Sequence, residues 1–126
     1  VSEIVRWQSP VAHMCRTAMA DVEIGGQQIR KMDKIAIWYL SGNRDESRFA
    51  VANRLIIDRP NVRQHLAFGY GIHRCLGNRL AEMQLKILWE EIMARFSHVE
   101  VAGDPIYLNS SFIRGITELP VRVHDR

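Results

Sequence analysis

The chain has 126 residues, 47% hydrophobic and 25% charged, and its 17 basic and 14 acidic side chains leave a net charge of +3. That charge is too mild to argue for a nucleic-acid partner, and no apolar run reaches the roughly 18 residues of a membrane span. Cys15 and Cys75 are the only cysteines and neither belongs to a CxxC or CxxCH arrangement, which argues against a disulfide scaffold or zinc ribbon. With no signal-peptide pattern and no repeat or low-complexity stretch, the composition reads as a cytoplasmic globular protein in a reducing compartment.

Val1 to Trp7 reads as the last turns of a helix, with Glu3 and Arg6 at i,i+3 on one face. On a surface such a pair contributes about 0–1 kcal/mol. Pro10 ends the helix, because the residue before a proline is pushed out of the α region. Ser9 to Met14 crosses over to a strand at Cys15 to Ala18. Val22 to Ile24 and Gln28-Ile29 flank Gly25-Gly26, the signature of a β-hairpin. Lys34 to Trp38 is a second strand with alternating isoleucines, and Ser41 to Glu46 is a polar turn cluster. Ser47 to Gln64 has no period; an irregular stretch this long is functional or packed by its neighbours. Leu76, Leu80, Met83, Ile87 and Ile92 recur at helical spacing, predicting a helix to about Phe96 with its apolar stripe in the core. Val99 to Val101 alternates as a strand, residues 105–117 read as a hairpin-like loop, and Leu119 to Val123 as a closing strand.

The chemistry concentrates in Phe68-Gly69-Tyr70-Gly71-Ile72-His73-Arg74-Cys75-Leu76-Gly77, just ahead of the long helix. Gly69 and Gly71 lack a Cβ, so the backbone there can lie close against a flat ligand. A cysteine in the first turn of a helix faces unpaired N–H groups, a setting that suits thiolate, the metal-binding form. One thiolate on such a loop suggests haem iron with a single protein ligand. The alternative is a buried, inert cysteine.

The pattern Phe68-x-x-Gly71-x-His73-Arg74-Cys75-x-Gly77, followed by Ala81, resembles the haem-ligand signature of the cytochrome P-450 monooxygenases. The resemblance covers nearly the whole chain. It implies a mainly α fold with small β-sheets, namely the C-terminal third of that fold: the end of helix K, β-hairpins, meander, Cys loop, helix L and terminal β-hairpin. Residues 1–126 would then be the haem-binding part of one larger domain, a fragment opening without a start methionine and inactive by itself. The implied cofactor is haem b, iron protoporphyrin IX, with Cys75 as metal ligand and catalytic centre. His73 and Arg16 resemble the residues that hold the propionates, and Phe68, Gly69, Gly77 and Ala81 complete the cofactor contacts. Glu3 and Arg6 resemble the buried Glu-x-x-Arg pair, which a meander arginine completes; Arg54 is the match, with Arg59 the fallback. Ala52 and Leu55 depart from the family's proline and phenylalanine, and Met32 stands where a turn glycine is usual. Val11, Ala12 and Phe112 are the implied substrate-pocket residues.

Arg6-Trp7-Gln8-Ser9-Pro10, Trp38 to Asp45 and the run from His73 to Glu91 look like the bacterial alkane and fatty-acid terminal hydroxylases. The implied activity is insertion of one oxygen of O₂ into a terminal C–H bond of a small hydrophobic substrate, with ferredoxin and ferredoxin reductase as electron donors. A basic face of Arg59, Arg63, Arg74, Arg79 and Lys86 is the expected docking surface. The alternatives are a sterol or other lipid hydroxylase, a non-catalytic haem sensor, and a metal-free domain with a structural Cys75.

Overall fold

A computed structural model describes residues 1–126. Helix α1 (Ser2–Gln8) stops where Ser9 enters the left-handed region at φ 43°, immediately before Pro10. The Ser9 amide donates to the Val5 carbonyl at 2.9 Å and its Oγ to the Arg6 carbonyl at 2.7 Å, so the helix end is satisfied without water. Strand β1 (His13–Thr17) pairs antiparallel with β4 (Lys34–Trp38), His13 opposite Trp38 and Thr17 opposite Lys34. Between them β2 (Val22–Ile24) and β3 (Gln27–Ile29) form the expected hairpin, with Gly25 and Gly26 both at positive φ as this two-residue turn requires.

The next turn carries strain. The Asp33 amide donates to the Arg30 carbonyl at 3.0 Å, and Met32 takes φ 75° between them. That is type II geometry, which favours glycine at this position. Met32 is 64% exposed, so its side chain offers little packing in return. Met32→Gly should therefore stabilise the haem-loaded protein by about 1 kcal/mol, the relieved left-handed strain exceeding the added chain entropy. A melting temperature that stays level or falls would show the turn to be relaxed.

Helix α2 (Tyr39–Gly42) follows β4 directly, where the sequence suggests only a turn cluster from Ser41. Tertiary bonds account for it: the Leu40 amide takes the Ala12 carbonyl at 3.2 Å, and Asn43 closes the turn on Tyr39 at 2.9 Å. The meander to Gln64 is irregular as expected, ending in a 3₁₀ turn at Val62–Gln64. Helix α3 (Asn78–Arg95) starts two residues later than its apolar period suggests, with Gly77 as its N-cap. Strand β5 (Phe96–Val101) pairs with β8 (Val121–Asp125), Val101 opposite Val121. Pro120 has no N–H to give a ladder, so β8 begins after it rather than at Leu119. The short strands β6 (Ile106–Tyr107) and β7 (Ile116–Glu118) form the hairpin expected over 105–117, which runs one residue further, to Glu118. The result is one long helix among four two-stranded sheets.

The core is small and polar. Only 14 residues are buried, and the largest fully buried side chains are Arg6, Asn43 and Ser9. The expectation that the α3 stripe lies in a core is corrected here: α3 has no buried residue, and Leu80, Met83, Ile87 and Leu88 are at least half exposed. The period is helical, but residues 1–126 leave most of that face bare, with Leu85 and Ile92 only half-buried. The chain exposes 9741 Å² for its 14.6 kDa, where a self-contained monomer of that mass exposes about 6,900 Å². No helix is long and apolar enough to cross a membrane.

Candidate functional site

The loop that carries Cys75 is closed by its own backbone. The Gly69 amide donates to the Leu66 carbonyl at 2.8 Å, Arg74 to Gly71 at 3.1 Å, and Cys75 to Phe68 at 2.8 Å. Gly69 and Gly71 sit at φ 72° and 70°, and a Cβ on Gly69 would lie 3.3 Å from the Tyr39 hydroxyl. Conformation and space both demand glycine there. The Cys75 side chain is exposed. It stands two residues ahead of the N-cap rather than in the first helical turn, because the 3₁₀ turn Gly71–His73 and the turn at Leu76–Gly77 use up the intervening backbone. The open amides of α3 still follow directly, and a Cβ on Gly77 would lie 3.9 Å from Cys75 Sγ.

Cys75, His73, Phe68, Gly69, Ala81 and Val11 come together in the lining of one mainly apolar cleft of about 500 Å³. Met14, Tyr39 and Leu85 join them without having been foreseen. Arg16, Gly77, Ala12 and Phe112 are not in that lining. Arg16 is half-buried on β1, with Nη1 donating to the Cys15 carbonyl at 2.8 Å. Ala12 is buried and its amide donates to the Phe112 carbonyl at 2.9 Å, while Val11 bridges Ile113. Backbone pairing thus docks the 108–115 loop onto the crossing after α1. The Phe112 ring meets His13 edge-on at 5.9 Å, and His13 lies 4.6 Å from Trp38.

Behind the loop lies the buried polar cluster. Arg6 Nε and Nη2 grip both Glu3 oxygens at 2.7 and 2.8 Å, and both side chains are almost wholly buried. The third member is Arg59, whose Nε donates to Glu3 Oε1 at 3.0 Å. This corrects the assignment of Arg54, whose side chain is exposed and whose contribution is its carbonyl, accepting from Arg6 at 3.2 Å and Arg59 at 2.8 Å. The meander wraps with Arg54 on the outside of its bend and Arg59 turned inward. Burial alone would raise the Glu3 pKa, but the Arg6 bond, the Ile56 amide at 2.9 Å and Arg59 together hold it down at about 2. Asn43, read only as a turn residue, proves to be a hub. Its Nδ2 donates to Ser9 Oγ at 2.8 Å, its Oδ1 accepts the Leu66 amide at 2.6 Å, and its carbonyl accepts from Arg6.

On the outer side, Arg48, Arg63 and Arg74 line an open cleft of about 600 Å³, and Arg63, Arg74 and Arg79 with Glu82 line a smaller one of about 130 Å³. Of the expected basic face, Arg59 is lost to the buried triad, and Lys86 faces Glu90 at 3.7 Å along α3. Arg48 was not foreseen, since a lone arginine in an irregular loop gives no sign of where it folds. His65 borders both clefts and is 3% exposed. Burial pushes its pKa down; Glu82 opposes that, and Arg74 and Arg6 reinforce it.

The Cytochrome P-450 family model matches residues 1–120. Over 120 residues the chain is 49% identical to a linalool 8-monooxygenase of Pseudomonas putida, covering 95% of this chain and 29% of that protein. A methyl-branched lipid omega-hydroxylase of Mycobacterium tuberculosis is 43% identical over 122 residues, covering 96% of this chain and 28% of the relative. The solved structure of cytochrome P-450-153 from Novosphingobium aromaticivorans superposes with a TM-score of 0.92 at 48% identity, covering 98% of this chain and 31% of that one. The chain therefore spans under a third of the length of each of these three relatives.

Proposed function

The chain belongs to the cytochrome P-450 family, and from that premise we propose that residues 1–126 form the haem-thiolate part of a monooxygenase, with Cys75 as the axial ligand. The observation that carries this is the shared cleft: one cysteine, His73 in the same lining, apolar walls from Val11, Phe68 and Ala81, and glycine-only backbone at Gly69. Those residues fit a flat, largely apolar ring with anionic substituents. When bound, haem b ligated by thiolate supplies activation of O₂ for insertion of one oxygen atom into a C–H bond, the sulfur's charge favouring O–O cleavage.

The chain's own residues bind and orient. His73 and Arg16 would hold the two propionates, Arg16 as a guanidinium–carboxylate pair. Phe68 shields the sulfur side from water, and Gly77 leaves the space beside Sγ free. Val11, Ala12 and Phe112 form part of the substrate wall, tied together by the Ala12–Phe112 backbone bond. We assign residues 1–126 to a single larger domain whose remaining part covers α3; the bare apolar face of that helix supports this. A cytoplasmic setting accords with the ferredoxin-fed chemistry proposed.

For substrate we propose terminal hydroxylation of a medium-chain alkane or fatty acid, which the similarity to an omega-hydroxylase supports. Titrating the full-length haem protein with alkanes, fatty acids, terpene alcohols and sterols, and following the haem spin state, tests it. The straight-chain ligands should give the largest shift at the lowest concentration. A sterol or terpene alcohol ahead of them would move the assignment to another lipid class, and a haem protein without turnover on any of them would favour a sensor.

Electrons would arrive from ferredoxin, itself reduced by ferredoxin reductase, at the clefts holding Arg48, Arg63, Arg74 and Arg79. Exposed charges of this kind steer encounter more than they hold a complex. Arg63→Ala and Arg79→Ala should each slow ferredoxin-dependent reduction by up to about fivefold at low salt, with little effect at high salt. Reduction rates indifferent to ionic strength would place docking elsewhere.

A further inference from the structure

The stretch leading into the cysteine loop has no helix or strand to hold it, so side chains take its amides. Leu66 gives its amide to Asn43 Oδ1 at 2.6 Å, and Ala67 gives its own to His65 Nδ1 at 3.2 Å. Ala67 is buried, so that amide has no water to turn to. The His65 ring lies 5.6 Å from the Phe68 ring, and the Phe68 carbonyl in turn accepts the Cys75 amide at 2.8 Å. A two-step path therefore joins His65 to the residue bearing the sulfur.

We propose that His65 is a positioning residue for the cysteine loop: its Nδ1 fixes the Ala67 amide and its ring backs Phe68, which together set where Cys75 is presented. The proposal rests on the reading of Cys75 as the haem ligand. To accept at Nδ1 the imidazole must be neutral, with its proton on Nε2, since a protonated ring would turn a second donor toward the Ala67 amide. The charged groups around it are Glu82 and Arg79 of α3, Arg74 of the loop, Arg48 and Arg63 of the meander, and Arg6 and Glu3 of α1. Burial and the arginines oppose protonation, and the two carboxylates favour it less strongly. The Nδ1 acceptor is thereby kept available.

Three substitutions in the full-length, haem-loaded protein separate this role from simple packing. His65→Asn places an amide oxygen where Nδ1 stands, His65→Gln carries it out toward the Nε2 position, and His65→Leu has no acceptor. The readout is the thiolate-specific Soret band after reduction and addition of carbon monoxide. His65→Asn should retain that band, whereas His65→Gln and His65→Leu should raise the fraction lacking it roughly tenfold, the effect of an orphaned buried amide. Equal bands in the Asn and Gln variants overturn the proposal, also where the Leu variant fails to load haem. A wild-type protein with haem but no thiolate band overturns the Cys75 reading, and this inference with it.

Discussion

In the full-length haem protein, the proposed role of Cys75 predicts that Cys75→His should remove the thiolate-specific Soret band of the reduced, carbon monoxide-bound form and abolish oxygen insertion, while haem should still be bound. The expectation follows from the cleft, where Cys75 is the one side chain of the loop with a sulfur to offer a metal. Imidazole can ligate iron, but it lacks the negative charge that pushes electron density toward bound oxygen. The apolar walls and the glycine backbone are untouched by the substitution, so affinity for the ring should persist. Cys15→Ser is the control. Cys15 is exposed on β1 opposite Ala36 and outside the cleft, so its loss should leave both spectrum and turnover intact. A thiolate band that survives Cys75→His, or disappears with Cys15→Ser, would refute the assignment.

The second large effect concerns stability. Glu3→Gln leaves two buried guanidiniums without their shared carboxylate, and Arg59→Ala takes one of the two guanidiniums from the buried Glu3, a donor from the Val51 and Arg54 carbonyls, and the one donor from the Ala50 carbonyl. Each should destabilise the full-length haem protein by about 3–5 kcal/mol, the usual effect of breaking a buried pair from one side. Arg54→Ala, which leaves the backbone carbonyl in place, should stay within about 0.5 kcal/mol of wild type. Denaturant titration of the three variants decides between the two arginines, and a larger loss at position 54 than at 59 would make Arg54 the third member of the triad.

The same carboxylate gives the triad a pH signature. Glu3 titrates at about 2 in the folded chain against an ordinary value of 4.5, so on acidification the unfolded chain takes up the proton first. Its contribution, about 3 kcal/mol from that difference, is complete above pH 4.5 and is lost as the pH falls toward 2. The stability gap between wild type and Glu3→Gln should narrow across that window. A gap that held constant would mean that the charge on Glu3 does not matter.

Several features were open to local reading because short-range physics determines them. The Gly25-Gly26 hairpin follows from turn conformation alone, and β4 matches its alternating isoleucines residue for residue. Pro10 ends α1 by steric conflict with its neighbour, and the Phe68–Gly77 pattern marks its loop by glycine spacing and a single cysteine. The i,i+3 separation of Glu3 and Arg6 already places them on one face.

Other features depended on contacts the sequence does not encode locally. Arg54 and Arg59 are chemically the same, and which one reaches Glu3, more than 50 positions away, depends on how the meander folds over α1. Asn43 and His65 look like ordinary loop residues until distant backbone amides come to rest on them. The apolar stripe of α3 was readable as a helix face but not as an uncovered one, since periodicity fixes which residues share a side and says nothing of what packs there. The sequence by itself determined the turns, the helix and strand identities and the lone candidate sulfur. Tertiary structure alone decided which polar groups lose their water, because burial is a property of surfaces brought together from far apart in the chain.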